Sequence, residues 1–219
     1  VSDLATLARN SDGTGAVSVG DPVGYIADKS GNGNHATAEG EARPILRQDS
    51  AGRYYLDFDG VDDVMTTPAH VSASAAGLTA GLAVKLDGTG GNGVIYGPTL
   101  AKGWQMVDFG WYLRFDTDSG GLVDDSEVYP ADRPDPMSLL GVADPFSVTA
   151  YVDGIGSGRT GSFVYSAGEM PTALMGRVSG SNLFTDGRFY GAIQIDRPVD
   201  RTERDLVQSF LDGLIATLS

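Results

Sequence analysis

The chain has 219 residues, 41% hydrophobic and 20% charged, enough apolar material for one sizeable core and too much for a disordered tail. Its formal charge of −14, from 29 acidic and 15 basic residues, repels phosphate backbones and anionic membrane surfaces, which argues against nucleic-acid binding, and no apolar run approaches the length that membrane insertion needs. The absence of cysteine excludes disulfide stapling and cysteine-based zinc sites.

Residues 1–8, VSDLATLA, read as a short helical turn that Ser2 can cap, with Asp3 favourably placed near its start. The chain begins at Val1 rather than Met, which fits processing or excision from a longer protein. Residues 28–36, DKSGNGNHA, are dense in turn formers and read as a structured loop. In RYYLDFDG, residues 53–60, Tyr54, Leu56 and Phe58 alternate with Tyr55, Asp57 and Asp59, the period-two signature of a strand that Gly60 ends. Pairing is expected to resume over 64–67. Further strands are predicted at 78–86 and 94–97, at 104–115 as two pieces broken near Gly110, and at 146–152 before the hairpin signal Asp153-Gly154. Segments 162–165, 173–178 and 187–195 complete the series. Many short strands separated by Gly/Asp/Asn turns, drawn from 31 glycines, predict an all-β, antiparallel two-sheet sandwich or barrel.

The last element differs. Asp200 followed three residues later by Glu203 is a capping-box start, and Leu206, Val207, Phe210, Leu211, Leu214, Ile215 and Leu218 recur at helical spacing. The sequence therefore predicts an amphipathic C-terminal helix packed on the sandwich. No repeat, linker or composition break divides residues 1–219, so one domain is expected.

Three blocks carry a resemblance. SDLATL with DPVGYIADKSGNGNHATAEGEARPILR, then GRYYLDFDGVDDVM, then GRFYGAIQIDRPVDRTERDLVQSFL together resemble concanavalin A-like (laminin-G-like) lectin/glucanase domains of phage virion and bacterial surface proteins. The resemblance implies a jelly-roll sandwich with a virion-surface or extracellular setting. It implies partners of two kinds, a surface glycan or other virion or surface subunits, including identical copies. Chemistry does not follow from such a fold, and residues 78–170 match no pattern of the family.

Glycoside hydrolysis needs two carboxylates flanking the scissile bond. The five glutamates, Glu39, Glu41, Glu127, Glu169 and Glu203, form no glucanase strand motif. Asp57 and Asp59 share a strand face and are the one acidic pair a hydrolase reading could use; a solvated edge is the simpler account. No G-x-S-x-G elbow exists, and His35 and His70 sit in polar loops. Residues 116–127, DTDSGGLVDDSE, place Asp116, Asp118, Asp124 and Glu127 at positions one, three, nine and twelve of an EF-hand-like loop, making calcium the candidate cofactor. The flanks look extended and position five has no side-chain oxygen, so an acidic hairpin of chance spacing competes. Asp62 and Asp63 are expected to bond backbone amides in a turn rather than a metal. Trp104, Trp111, Tyr112 and Tyr129 are the candidate platform for stacking a glycan, weighed against burial in the core. The expected function is a non-catalytic recognition or particle-decorating domain; a purely architectural assembly module is the alternative, and a polysaccharide hydrolase the lesser one.

Overall fold

The computed structural model describes residues 3–71, 73–87, 93–98, 104–108, 113–119, 122–128, 136–160, 169–177 and 183–216. Its strands, in chain order, are β1 (Leu7–Ala8), β2 (Tyr25–Ile26), β3 (Ala36–Thr37), β4 (Ile45–Gln48), β5 (Tyr54–Asp59), β6 (Met65–Thr66), β7 (His70–Val71), β8 (Leu78–Leu86) and β9 (Gly93–Pro98). They continue as β10 (Trp104–Asp108), β11 (Leu113–Ser119), β12 (Leu122–Val128), β13 (Met137–Asp144), β14 (Ser147–Val152), β15 (Ile155–Thr160), β16 (Glu169–Met170), β17 (Thr172–Leu174) and β18 (Asp186–Ile195). A single α-helix, α1 (Arg201–Ile215), closes the described chain.

The strands form two antiparallel sheets, ordered β1-β2-β3-β6-β17-β9-β10-β11-β12 and β15-β14-β13-β8-β18-β5-β4, with β16-β7 as a small separate pair. The two large sheets pack face to face. Alternate residues of the central strand β8, Leu78, Ala80, Leu82, Val84 and Leu86, point into one core with Leu56 and Phe58 of β5, Met65 of β6, and Ile95 and Trp104 of the opposite sheet. The pleat sends intervening side chains outward. There α1 covers the second sheet: Val207 and Leu211 bury against Leu140, and Leu214 and Ile215 against Tyr55, Ala83 and Tyr190. The outward face of β5 is thus partly a second, smaller core, which the sandwich pattern alone leaves looking like surface.

The helix is held at both ends. Asp200 accepts from the Glu203 amide at 2.9 Å while Glu203 accepts from the Asp200 amide at 3.1 Å, the capping box expected from the sequence. Arg197 grips Glu203 through two bonds of 2.8 and 2.7 Å. At the other end Arg53 donates to the Ile215 carbonyl, pairs with Asp49 at 2.7 Å and lies over the Tyr190 ring at 5.6 Å. A cation at the carbonyl end is where the helix dipole favours one.

Several expectations need correction. The first turn is a 3-10 helix, Leu4–Thr6, capped by Asp3, which accepts from the Ala5 amide at 3.1 Å; Ser2, the expected cap, lies outside the described residues. Strands β4, β13 and β15 had no pattern assigned to them, and β12 falls in the segment read as an acidic loop. Leu206 and Phe210 stay exposed although their spacing suits the buried stripe. Segment 162–165 lies outside the described residues.

Candidate functional site

A cleft of about 970 Å³ opens between the sheets. The loop after β2 forms one wall. Asp28 organises it, accepting from the Ser30 amide and hydroxyl at 2.8 Å each and from the Asn34 amide at 3.0 Å. Burial pushes the Asp28 carboxyl up, but these hydrogen bonds outweigh it and hold the group below its ordinary value. His35 Nδ1 accepts the Asp28 amide at 3.0 Å, and its ring lies 5.0 Å from that of Tyr25. His35 is therefore a structural post of the loop. Gly31 and Gly33 take left-handed conformations, φ +86° and +77°, which the tight chain path requires. The wall so fixed presents Lys29, Ser30, Asn32 and Asn34 to the cleft.

The opposite wall is the far half of β18. Strand β5 pairs with β18 only over Asp186–Phe189, and Gly191–Asp196 border the cleft together with Phe210 and Leu214 of α1. The floor is polar and tightly bonded. Tyr96 donates to Gln194 Oε1 at 2.8 Å, and the Thr67 and Thr172 hydroxyls meet at 3.0 Å. Burial raises the Tyr96 phenol above its ordinary value, so it stays a neutral donor. His70 lies near the rim, with Nδ1 3.2 Å from the Thr67 hydroxyl. The result is a groove with an apolar edge, a hydrogen-bonding floor and a loop of amides on one side.

Of the residues proposed from sequence as a stacking platform, Trp104 is a core residue. It is 1% exposed and sits edge-on to Tyr96 with ring centroids 5.1 Å apart. Burial of its large apolar surface outcompetes display. Trp111, Tyr112 and Tyr129 lie outside the described residues. The residues of the candidate calcium loop fall on a hairpin. Residues 113–119 and 122–128 run as a paired antiparallel ladder with Asp116 opposite Asp125, Thr117 opposite Asp124, Asp118 opposite Val123 and Arg114 opposite Glu127. An extended backbone does not wrap an ion as a calcium loop does, and Asp124 falls at the opposite register parity to Asp116 and Asp118.

The carboxylates that do converge among the described residues are Asp59, Asp62 and Asp63, with an oxygen of each within 4.8 Å of the others. Their bonds are those of a turn. Asp59 accepts from the Val61 amide at 2.8 Å and the Asp62 amide at 3.3 Å, while Asp63 accepts from the Asp59 amide at 3.0 Å. The anchors are thus Asp59 and Asp63 rather than Asp62. The acidic pair considered for hydrolysis is engaged elsewhere too: Asp57 pairs with Arg47 at 3.5 Å, Asp59 holds the turn, and neither lines the cleft. From sequence Asn32 reads as a turn residue of the 28–36 loop and Phe210 as part of the apolar stripe of the helix, while Gln194 carries no signal. The amide-dense loop was the one available signal; that β18 and α1 would meet it could not be read from spacing.

No family model and no curated protein sequence matches the chain. Solved structures match in fold. The binding domain of botulinum neurotoxin DC, solved with rat synaptotagmin II, superposes with a TM-score of 0.66 at 12% identity over 97% of this chain and 52% of that one. Botulinum neurotoxin type C, solved in work on cell entry through two ganglioside molecules, gives 0.64 at 10% identity over 85% and 48%. The binding domain of Paraclostridial Mosquitocidal Protein 1 gives 0.59 at 10% over 86% and 49%. The chain spans about half the length of the solved chains it matches. At such identity the likeness establishes a shared β-sandwich fold and leaves the site to be argued from its own residues. No helix among the described residues is long and apolar enough to cross a membrane.

Proposed function

We propose that this chain is a non-catalytic recognition domain of the concanavalin A-like jelly-roll type, holding a surface glycan or receptor in the cleft between its sheets. The observation that carries the reading is the cleft itself. Exposed Asn32 and half-buried Asn34 line it, and their side-chain amides make no hydrogen bond among the described residues. Each amide both donates and accepts, which suits hydroxyl-rich ligands. Phe210, 47% exposed, adds an apolar edge for the ring face of a sugar. The matched structures are themselves binding domains, two of them solved with a sialylated ligand or a protein receptor, which supports recognition over catalysis. The three sequence blocks support display on a virion or cell surface.

Glycan-array screening followed by calorimetry tests this reading. Asn32→Ala and Phe210→Ala are each expected to weaken the best ligand by about tenfold with the melting temperature nearly unchanged. Undiminished binding by both variants would move the site away from the cleft.

A second reading, assembly with identical subunits, is favoured by one observation. Leu206 is 67% exposed one helical turn before Phe210, an apolar pair on the outside of α1. Sedimentation of the protein and of Leu206→Asp separates the two. Self-association lost in the variant supports assembly; a monomer throughout opposes it.

A further inference from the structure

The walls of the cleft carry an uneven charge. Asp3, Asp28, Glu169 and Asp196 contribute carboxylates, and among the described residues the one Lys or Arg lining it is Lys29. That ammonium is already 3.1 Å from Asp3 Oδ2, and its side chain is 67% exposed. Among the described residues no arginine lines the cleft, so they supply no planar fork to grip a carboxylate or sulfate through two bonds. Asp28 is held as an anion by three donors, the Ser30 amide and hydroxyl and the Asn34 amide. The whole chain, at −14, adds a field of the same sign. What remains for a ligand is dipolar: the amides of Asn32 and Asn34 and the ring edge of Phe210.

We infer that the cleft selects uncharged, hydroxyl-rich oligosaccharides against their sialylated or sulfated counterparts. The inference rests on the recognition reading and narrows it. An acidic sugar would bring its charge among the carboxylates of Asp28, Glu169 and Asp196, while a neutral one meets groups that can donate to and accept from its hydroxyls. The discrimination is electrostatic, so it weakens as salt shortens the reach of the charges.

The test is a glycan array built from matched pairs, each neutral oligosaccharide beside its sialylated and sulfated forms, with amino-sugar oligomers as a cationic arm. Calorimetry follows on the best pair. The neutral member is expected to bind at least tenfold tighter than its acidic partner at low salt, with the gap narrowing at high salt. In the double variant Glu169→Gln, Asp196→Asn the ratio of sialylated to neutral affinity is expected to rise at least threefold. Equal or tighter binding of the sialylated member, or weaker binding of the cationic arm than of the acidic one, overturns the selectivity and leaves glycan recognition standing. Absence of binding across every pair overturns the recognition reading and the inference with it.

Discussion

Asp63 shows how one side chain can serve the fold and strain it together. It is 6% exposed and accepts the Asp59 amide. Burial, followed by the neighbouring charges of Asp59, Asp62 and Asp57, pushes its carboxyl up to about 6 against that hydrogen bond. The protonated form therefore suits the folded state better than the anion. This group favours folding most below its ordinary value of 3.8, and the benefit is lost as pH rises towards and through about 6. Removing the charge by Asp63→Asn is expected to stabilise the protein at pH 7, by at most about 3 kcal/mol, less whatever the accepted hydrogen bond contributes. Urea unfolding of both proteins at pH 7 and near pH 4 checks it; a difference that does not shrink on acidification contradicts it. Gly60, in the same turn, has φ +71°, and an added Cβ would lie 2.9 Å from the Asp186 Cβ and 3.0 Å from its amide nitrogen. Gly60→Ala is expected to cost about 2 kcal/mol, from left-handed backbone and crowding together, measured by the same unfolding curves.

At the scale of elements, the terminal helix decides what the second sheet buries. Leu211 is fully buried against Leu140, and Gly81 leaves room for it: a Cβ there would come 2.8 Å from Leu211 Cδ1. Truncating the leucine opens a cavity at that contact. Leu211→Ala is expected to cost about 3 kcal/mol, and Asp200→Ala, which removes the cap, about 1 kcal/mol. Thermal unfolding ranks the two, and a cap loss exceeding the core loss would contradict this account of the helix. The hairpin β11–β12 belongs at this scale as well. Its ladder register is that of an extended hairpin rather than a wrapped loop, so calcium is expected to leave the melting temperature unchanged at millimolar concentration. A rise of several degrees would restore residues 116–127 as a metal site.

For the molecule as a whole, two sheets enclose a main core, one helix covers the outer face of the second sheet, and the cleft lies where a short β5 leaves half of β18 bordering the gap. The site is thus a product of unequal strand lengths: β5 pairs Asp186–Phe189 while β8 pairs β18 out to Ile195. The fold shared with toxin binding domains at 7–12% identity shows how little of such a sandwich depends on particular side chains. Far-UV circular dichroism is expected to report mainly β structure with a minor helical part, and a mainly helical spectrum would remove the frame on which the cleft depends.

Local pattern carried much of this architecture. Alternation in Tyr54–Asp59 and Ser147–Val152, the Asp153-Gly154 turn and the Asp200–Glu203 cap all rest on interactions between near neighbours in sequence, which spacing displays directly. Strands β4, β13 and β15 escaped because residues buried on both faces, or at a sheet edge, lose the alternation that marks a strand. The site was the least legible part. Asn32, Gln194 and Phe210 lie far apart along the chain, and no periodicity records that β18 outruns β5. Trp104 looked like a candidate platform because residue type alone does not reveal which face of a strand meets the opposing sheet. The sequence by itself determined the class of the fold and its terminal helix; packing between distant strands decided which polar groups share a cleft, because that packing is set by pairing across the whole chain and not by any stretch of it.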